Sequence, residues 1–281
     1  MADIQVMTEA DFEFAVSLTD HEGWGNLGAD FARLTALQPD GCFIAWEDGE
    51  RIGMVSTTVC GDYAFMGSLI VRPDRRGRGV GEALMRHALE YLIKGSIACI
   101  ELDATFPAAP LYRRLGFRDK FLSLRFVRPG DKSTGVYSGN PSSENVDTLA
   151  SIVTRIDKHL TGLDRSRLLA RLATEFPESV FVEGSQKPQG YAIVYPRSGN
   201  RVNIGPLVAA DGRTAERLLD AIIEANASYD IGAGVPETQT AASRMMLDRG
   251  FLYHPPSLRM YHGQQRRFEE HIYAIVSAEK G

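Results

Sequence analysis

Four arginines and three glycines share ten consecutive residues, Arg72-Pro73-Asp74-Arg75-Arg76-Gly77-Arg78-Gly79-Val80-Gly81. A β-rich run ends just before them at Val71, and a helical pattern begins inside them. Val80, Ala83, Leu84, His87, Ala88, Tyr91 and Leu92 recur at i, i+3, i+4, i+7, i+8, i+11 and i+12 up to Gly95. Strand, glycine turn and helix N-terminus together present unbonded backbone N–H groups and the positive end of a helix dipole to an anion. The chain carries a net charge of −5, so attraction for an anion has to be local, and nucleic acid or an anionic membrane is not an expected partner. Two familiar phosphate loops fail on spacing. A P-loop ends in Gly-Lys-Ser or Gly-Lys-Thr, whereas Gly81 is followed by Glu82 and Ala83; a dinucleotide fingerprint counted from Gly77 ends on Glu82 instead of glycine or alanine.

A second constellation lies downstream. In Ile100-Glu101-Leu102-Asp103-Ala104 the carboxylates alternate with apolar residues, so Glu101 and Asp103 share one face of a strand. Either could accept a proton or hold a cationic amine, and either could be a solvent-facing strand residue. His87 sits on the apolar face of its helix and reads as a packed histidine.

The elements that position these groups follow from periodicity and turn residues. Asp11 to Asp20 and Ala29 to Leu37 read as helices. Cys42 to Trp46, Ile52 to Val59 and Tyr63 to Val71 read as strands, broken by the hairpin signals Asp48-Gly49 and Gly61-Asp62. Ala98 to Ala104 is a further strand, and a helix starts near Ala108. The expected fold is α/β with a mixed sheet (α+β).

This pattern occurs twice. Gly41-Cys42-Phe43-Ile44-Ala45 is echoed by Ser179-Val180-Phe181-Val182-Glu183, and Arg51-Ile52-Gly53-Met54-Val55 by Pro188-Gln189-Gly190-Tyr191-Ala192. Gly67-Ser68-Leu69-Ile70-Val71 returns as Gly205-Pro206-Leu207-Val208-Ala209, and Arg114-Leu115-Gly116-Phe117 as Asp248-Arg249-Gly250-Phe251. The offset is 138 residues at Gly67 and 134 at Phe117, so the second copy has lost four residues, placed here in the anion loop. The Gly-, Ser-, Asn- and Pro-rich stretch Pro129 to Pro141 is the expected boundary. A chain of 281 residues accommodates two domains, taken as 1–131 and 140–281.

Arg76-x-x-Gly79-x-Gly81 and Leu111-Tyr112-Arg113-Arg114-Leu115-Gly116-Phe117 resemble, respectively, the acetyl-CoA signature and the Leu-Tyr-x-x-x-Gly-Phe segment of the GNAT superfamily of N-acetyltransferases. The second half resembles a degenerate copy, as in tandem members. The resemblance implies that backbone groups of Leu69, Ile70 and Val71 pair with the pantetheine arm, and that Arg76 and the Gly77, Arg78, Gly79, Val80, Gly81 and Glu82 stretch bind the cofactor, Gly77 to Glu82 holding its pyrophosphate. Tyr112 would protonate the departing CoA thiolate, a packed core tyrosine being the alternative. Glu101 aligns with a strand carboxylate that serves as base in some members, and Asp103 suits a cationic acceptor. One departure concerns the residue seven before the tyrosine, Thr105 here where the family often has Asn. A hydroxyl replaces one amide hydrogen bond but not two. The early segment His21-Glu22-Gly23-Trp24-Gly25-Asn26 falls where the superfamily builds its acceptor site, so Trp24 and Asn26 are candidate substrate contacts, though Trp24 could equally pack under the loop.

With the 134 offset Tyr112 corresponds to Met246, and Ala209-Ala210-Asp211-Gly212-Arg213 replaces the glycines of the loop. The second copy is therefore expected to be catalytically silent, serving as a lid or wall of the acceptor pocket or as a homodimer surface. Asp157, Asp164 and Arg165 could line a pocket there, but a solvated helix face is the expected account. Three scattered cysteines, Cys42, Cys60 and Cys99, suggest neither disulfides nor a metal site. The start Met1-Ala2-Asp3 has no basic-then-apolar pattern, and no run approaches ~18 apolar residues, so a cytoplasmic protein is expected. These features point to transfer of an acetyl group from acetyl-CoA to a small-molecule amine. An acetyltransferase acting on protein amines and a non-catalytic acyl-CoA sensor are the alternatives.

Overall fold

The structure, a computed structural model, describes residues 2–131, 146–184 and 189–281. The stretch 132–141 of the expected boundary, the start of the 140–281 domain and Pro188 of the repeat lie outside the described residues. Two compact units emerge: unit 1 spans Met1–Asp119, Met260–Gln265 and Glu279–Gly281, and unit 2 spans Lys120–Arg259 and Arg266–Ala278.

In unit 1, β1 (Asp3–Val6), α1 (Phe12–His21), α2 (Gly28–Leu37), β2 (Cys42–Glu47), β3 (Glu50–Cys60), β4 (Tyr63–Val71), α3 (Val80–Lys94), β5 (Cys99–Ala104) and α4 (Ala109–Arg114) follow in order. Strands β1 to β4 form an antiparallel run, and β5 joins β4 in parallel. Residues 260–263 continue the sheet beyond β5, with the N–H of Gln264 donating to the carbonyl of Ala98 at 2.8 Å. The turn between β2 and β3 has positive φ at both Asp48 (52°) and Gly49 (79°), the two-residue hairpin that Asp-Gly favours. Helix α3 buries Val80, Leu84, Ala88 and Leu92 with Met85 and Leu89, and Gly95 caps it. His87 meets the Phe43 ring edge-on at 4.6 Å, which makes it a packing residue.

Unit 2 receives most of β6 (Arg118–Arg128) and contains α5 (Val146–Thr161), α6 (Ser166–Glu175), β7 (Val180–Glu183), β8 (Gly190–Arg197), β9 (Arg201–Ala209), α7 (Gly212–Ala225), β10 (Asp230–Pro236), α8 (Thr240–Asp248), the first part of β11 (Leu252–Gly263) and β12 (Ile272–Ala274). Its sheet runs β6-β10-β9-β8-β7, and β12 pairs with β9.

The repeat survives in hydrogen-bond register. Gly53 pairs with Val71 and Gly190 with Ala209. At the later turn Gly116 and Gly250 have φ of 89° and 80°, and the N–H of Phe117 donates to Tyr112 as that of Phe251 donates to Met246. The net loss of four residues conceals a larger one. Tyr63 pairs with Cys99 and Arg201 with Asp230, separations of 99 − 63 = 36 and 230 − 201 = 29, so residues lost early are partly regained before the Gly-Phe turn.

Candidate active site

Strand β4 carries an extra residue. Met54 faces Ile70 while Ser56 faces Gly67, so two steps on β3 match three on β4, and Ser68 takes φ 53°. A non-glycine residue in that region is strained by about 1–3 kcal/mol and marks a built bulge. Pairing of β4 with β5 runs from Tyr63↔Cys99 to Met66↔Leu102 and stops there. Beyond Met66 the two strands part, and among the described residues no strand pairs with the β4 edge from Gly67 to Val71 on that side. The Ser68 hydroxyl is buried with no hydrogen-bond partner, an orphan of the kind that awaits a ligand. Sequence reading missed this residue; its only signal was a serine inside an otherwise apolar strand.

The loop after β4 turns through Gly77 (φ 75°) and Gly79 (φ 82°), and Gly79 caps α3 with no side-chain hydrogen bond. A Cβ on either glycine would meet nothing within 4 Å, whereas one on Gly81 would touch Val71 at 3.6 Å. Backbone conformation is therefore what requires glycine at 77 and 79. The first turn of α3 leaves the N–H groups of Val80, Gly81 and Glu82 without intrahelical acceptors. The arginines are less available than their number suggests. Arg72 pairs with Asp74 and Glu50, Arg75 with Glu47 and Glu50, and Arg76 with Glu22 at 2.5 Å while its Nε donates to the Val71 carbonyl at 2.9 Å. Arg78 alone of the four has no carboxylate partner among the described residues. The loop's pull on an anion thus rests on backbone N–H groups and Arg78, and Arg76 ties loop to strand.

Glu101 departs from simple alternation. It is fully buried, with the Tyr63 hydroxyl donating to its Oε2 at 3.3 Å, while Asp103, on the same strand face, is half-exposed. Alternation alone put both on one face and left open whether that face meets substrate or solvent. Thr105 is exposed at the end of β5, where its carbonyl accepts the N–H groups of Ala108 and Ala109. Tyr112 on α4 is 6% exposed, its ring edge-on to Phe117 at 6.1 Å. Its hydroxyl has no protein partner among the described residues, and burial pushes its pKa up to about 12. In the loop between α1 and α2, Trp24 packs against the core around Phe31 and Leu34. Asn26 is 1% exposed, and both ends of its amide lack a partner.

Unit 2 closes the equivalent features with its own chain. β12 lies on the β9 edge, Ile272 opposite Val208 and Ala274 opposite Leu207, at the positions matching Ile70 and Leu69. Only Ala210 and Asp211 separate β9 from α7. The Asp211 carboxylate accepts the Thr214 N–H at 2.8 Å, so an internal anion caps that helix. Met246, at the tyrosine's position, is buried. The solvated helix face expected near its start is overturned at two positions. Asp157 and Arg165 are 1% and 3% exposed, forked together at 2.6 and 3.1 Å, and the Tyr191 hydroxyl donates to Asp157 at 2.7 Å. Asp164 is exposed as expected, bonded to Lys158 and Ser166.

Among the described residues no cluster of three His, Cys, Asp or Glu could hold a metal ion, and no helix is long and apolar enough to cross a membrane. All three cysteines are buried, and they form no disulfide.

Residues 7–117 match the family model described as the acetyltransferase (GNAT) family, and residues 153–274 match one described as an acetyltransferase (GNAT) domain. Holothin acyltransferase from Pseudoalteromonas sp. (strain SANK 73390) is 26% identical over 276 residues, 92% of this chain and 88% of that protein. Mycothiol acetyltransferase from Acidothermus cellulolyticus is 35% identical over 113 residues, 34% of this chain and 35% of that protein. A solved structure of a candidate acetyltransferase from Pyrococcus horikoshii is similar across 100% of this chain and 96% of its own, with a TM-score of 0.83 at 24% identity. A GCN5-related N-acetyltransferase from Sphaerobacter thermophilus gives 0.67 at 14% identity, covering 94% and 98%; both structures bear on the fold alone.

Proposed function

As a member of the GNAT family of acetyltransferases with two such domains in tandem, this chain is an acyltransferase, and we propose that it moves an acetyl group from acetyl-CoA directly to a primary amine of a small molecule, in unit 1 alone. One contrast carries the reading: the β4 edge and the α3 N-terminus are left open in unit 1, while β12 and Asp211 fill the same two places in unit 2. An open strand edge suits the amide-bearing pantetheine arm, which lies along it like an added strand. The unbonded N–H groups at Val80 to Glu82 suit a pyrophosphate, with Gly77 and Gly79 shaping the approach. The working domain in this reading is unit 1, residues 1–119 with 260–265 and 279–281, shorter than the expected 1–131 because Lys120 onward belongs to unit 2.

The chemistry follows from that seating. The acceptor nitrogen, as the free amine, attacks the thioester carbon. Its carbonyl oxygen, as charge develops, takes a hydrogen bond from backbone N–H groups of the Leu69 to Val71 edge. The C–S bond then breaks and the thiolate departs toward Tyr112. With its pKa raised to about 12, Tyr112 gives up a proton reluctantly to a thiolate whose acid has a pKa of ~8.5; a gap of about 3.5 units opposes full transfer by roughly 5 kcal/mol. Its part is a neutral hydrogen bond to the developing charge, with the final proton coming from the acceptor ammonium. Glu101, buried beside the Tyr63 hydroxyl, is the group we assign to take the first proton, through water, from the incoming ammonium and so deliver the free amine, the second proton passing from the acylated nitrogen to the thiolate, with Asp103 near the end of the strand meeting the cationic acceptor. Asn26 offers a buried amide with unmet hydrogen bonds to the acceptor.

A small-molecule acceptor is also supported by the holothin relative, which spans 92% of the chain. The test is release of free CoA thiol from acetyl-CoA across a panel of small amines, amino acids and peptides. Turnover with small amines is expected. Tight CoA binding with no turnover for any amine would overturn the enzyme reading in favour of an acyl-CoA sensor. Gly79→Ala supplies a further check. Alanine at φ 82° is strained by about 1–2 kcal/mol, so the KM for acetyl-CoA should rise about 5- to 30-fold with kcat at saturation nearly unchanged.

A further inference from the structure

Three residues late in the chain lie inside unit 1. Glu279 and Lys280 are 4% and 3% exposed, and Gly281 is buried. A Cβ built on Gly67 would fall 2.3 Å from the Glu279 carbonyl oxygen and 2.7 Å from its Cα, so the segment's backbone crosses directly over Gly67. A Cβ on Gly281 would lie 2.9 Å from the Phe65 ring and 3.0 Å from the Tyr63 hydroxyl, the same hydroxyl that donates to Glu101. From between these contacts the Lys280 side chain reaches the Asp30 carboxylate, Nζ to Oδ1 3.5 Å.

Gly67 precedes Leu69 by two residues, roughly 7 Å along a strand. The segment therefore covers the end of the β4–β5 opening where an acceptor must approach, and leaves the Leu69 to Val71 edge uncovered. Asp30 is held without it. Its Oδ1 takes the Arg33 guanidinium at 2.8 Å, and its Oδ2 takes the Leu27 N–H at 2.9 Å. Lys280 lies farther from this carboxylate than Arg33 does, 3.5 Å against 2.8 Å, and its departure leaves the Arg33–Asp30 pair in place. A buried carboxylate that keeps its own partners when a second cation leaves has the makings of an ammonium subsite.

We propose that Asp30 is the ammonium subsite of the acceptor pocket, and that Lys280 is the chain's own occupant of it, displaced together with the Glu279–Gly281 segment when a cationic acceptor enters. This rests on the acetyltransferase reading for the identity of the pocket, but binding can be tested without turnover. Lys280→Ala removes the occupant's ammonium and stem while keeping Asp30 and Arg33. Butylammonium, which has the chemistry of the lost side chain, should raise the Tm of this variant by about 2–4 °C at ten times its Kd, and should leave wild type unmoved. The pair Asp30→Asn with Lys280→Ala should show no such shift, and the neutral probe 1-butanol should not replace the amine.

In kinetics with acetyl-CoA, Lys280→Ala should lower KM for a diamine about tenfold relative to wild type, with no comparable change for an uncharged aniline. If Lys280→Ala is destabilised and butylammonium does not restore it, or if aniline gains as much as the diamine, Lys280 is a structural anchor and the proposal fails. A positive thermal shift with no acetylation of any amine would instead retire the enzymatic reading and leave the subsite standing.

Discussion

Tyr112→Phe should lower kcat about 100-fold while leaving the KM for acetyl-CoA within a factor of two. The substitution removes one hydroxyl and keeps the ring that meets Phe117 at 6.1 Å, so packing is preserved. The hydroxyl has no protein partner among the described residues, so the folded state loses no hydrogen bond and stability should stay within about 0.5 kcal/mol. What disappears is a donor aimed at charge that develops only as the C–S bond breaks, and one such donor is worth roughly 10²–10³ in rate. Steady-state kinetics with CoA thiol detection separates this from a packing role, which would raise KM or lower Tm without a selective loss of kcat. The pH dependence supplies a second readout. Burial raises the Tyr112 pKa from 10.0 to about 12, so the neutral phenol is favoured in the fold. That contribution to stability is present in full below pH ~10 and is lost as pH rises toward 12. Tyr191 shifts in the same direction for the same leading reason, burial, so alkaline unfolding should be delayed but not abolished in Tyr112→Phe. No loss of rate traceable to Tyr112 ionisation is expected below pH 10.

The residues that could be read from sequence are those whose role is fixed by local backbone. Gly77 and Gly79 are required by positive φ, and a strand-glycine-helix order shows this without knowledge of the rest. The amphipathic helix α3 follows from a 3.6-residue period, and Asp48-Gly49 announces its hairpin. Features set by distant chain were invisible. Strand β1 is four residues with little buried face, too short for periodicity to register. Glu101 was a candidate base or a solvent-facing residue, because alternation assumes an ordinary sheet with one wet side and does not tell the two apart. It is buried where β4 and β5 separate, and nothing local signals that separation. The four arginines looked like one cationic patch because the glutamate partners of three of them, Glu22, Glu47 and Glu50, lie 22 to 54 positions earlier in the chain and one-dimensional reading cannot pair them. The degeneracy of the second copy was legible as missing glycines and a methionine. The physical form it takes, β12 and Asp211 filling the vacated places, depends on segments that follow in the chain and on a helix cap. The Asp30–Lys280 contact spans 250 residues and had no sequence signal at all.

Asp157→Ala should cost about 3–5 kcal/mol, the largest stability loss expected from a single change in unit 2. Asp157 accepts two bonds from Arg165 and one from Tyr191, and all three side chains are at least 97% buried. Truncation removes the guanidinium's carboxylate fork and the tyrosine's acceptor together, and breaking a buried pair from one side is far more damaging than replacing both sides. The contrast supplies the test. Asp157→Leu combined with Arg165→Met exchanges the pair for apolar volume and should recover most of the loss, whereas Asp157→Asn keeps hydrogen-bonding capacity and should fall between. Both tryptophans, Trp24 and Trp46, belong to unit 1, so their fluorescence reports that unit. Hydrogen exchange on β8 and α5 is the measurement that follows unit 2. If Asp157→Ala lowers protection there by less than 1 kcal/mol, the network contributes little, and its burial was made tolerable by bonds that merely replace those lost to water. A loss of 3 kcal/mol or more, with recovery in the apolar double variant, would mean that an element whose cofactor places are filled keeps a polar core it no longer needs for chemistry.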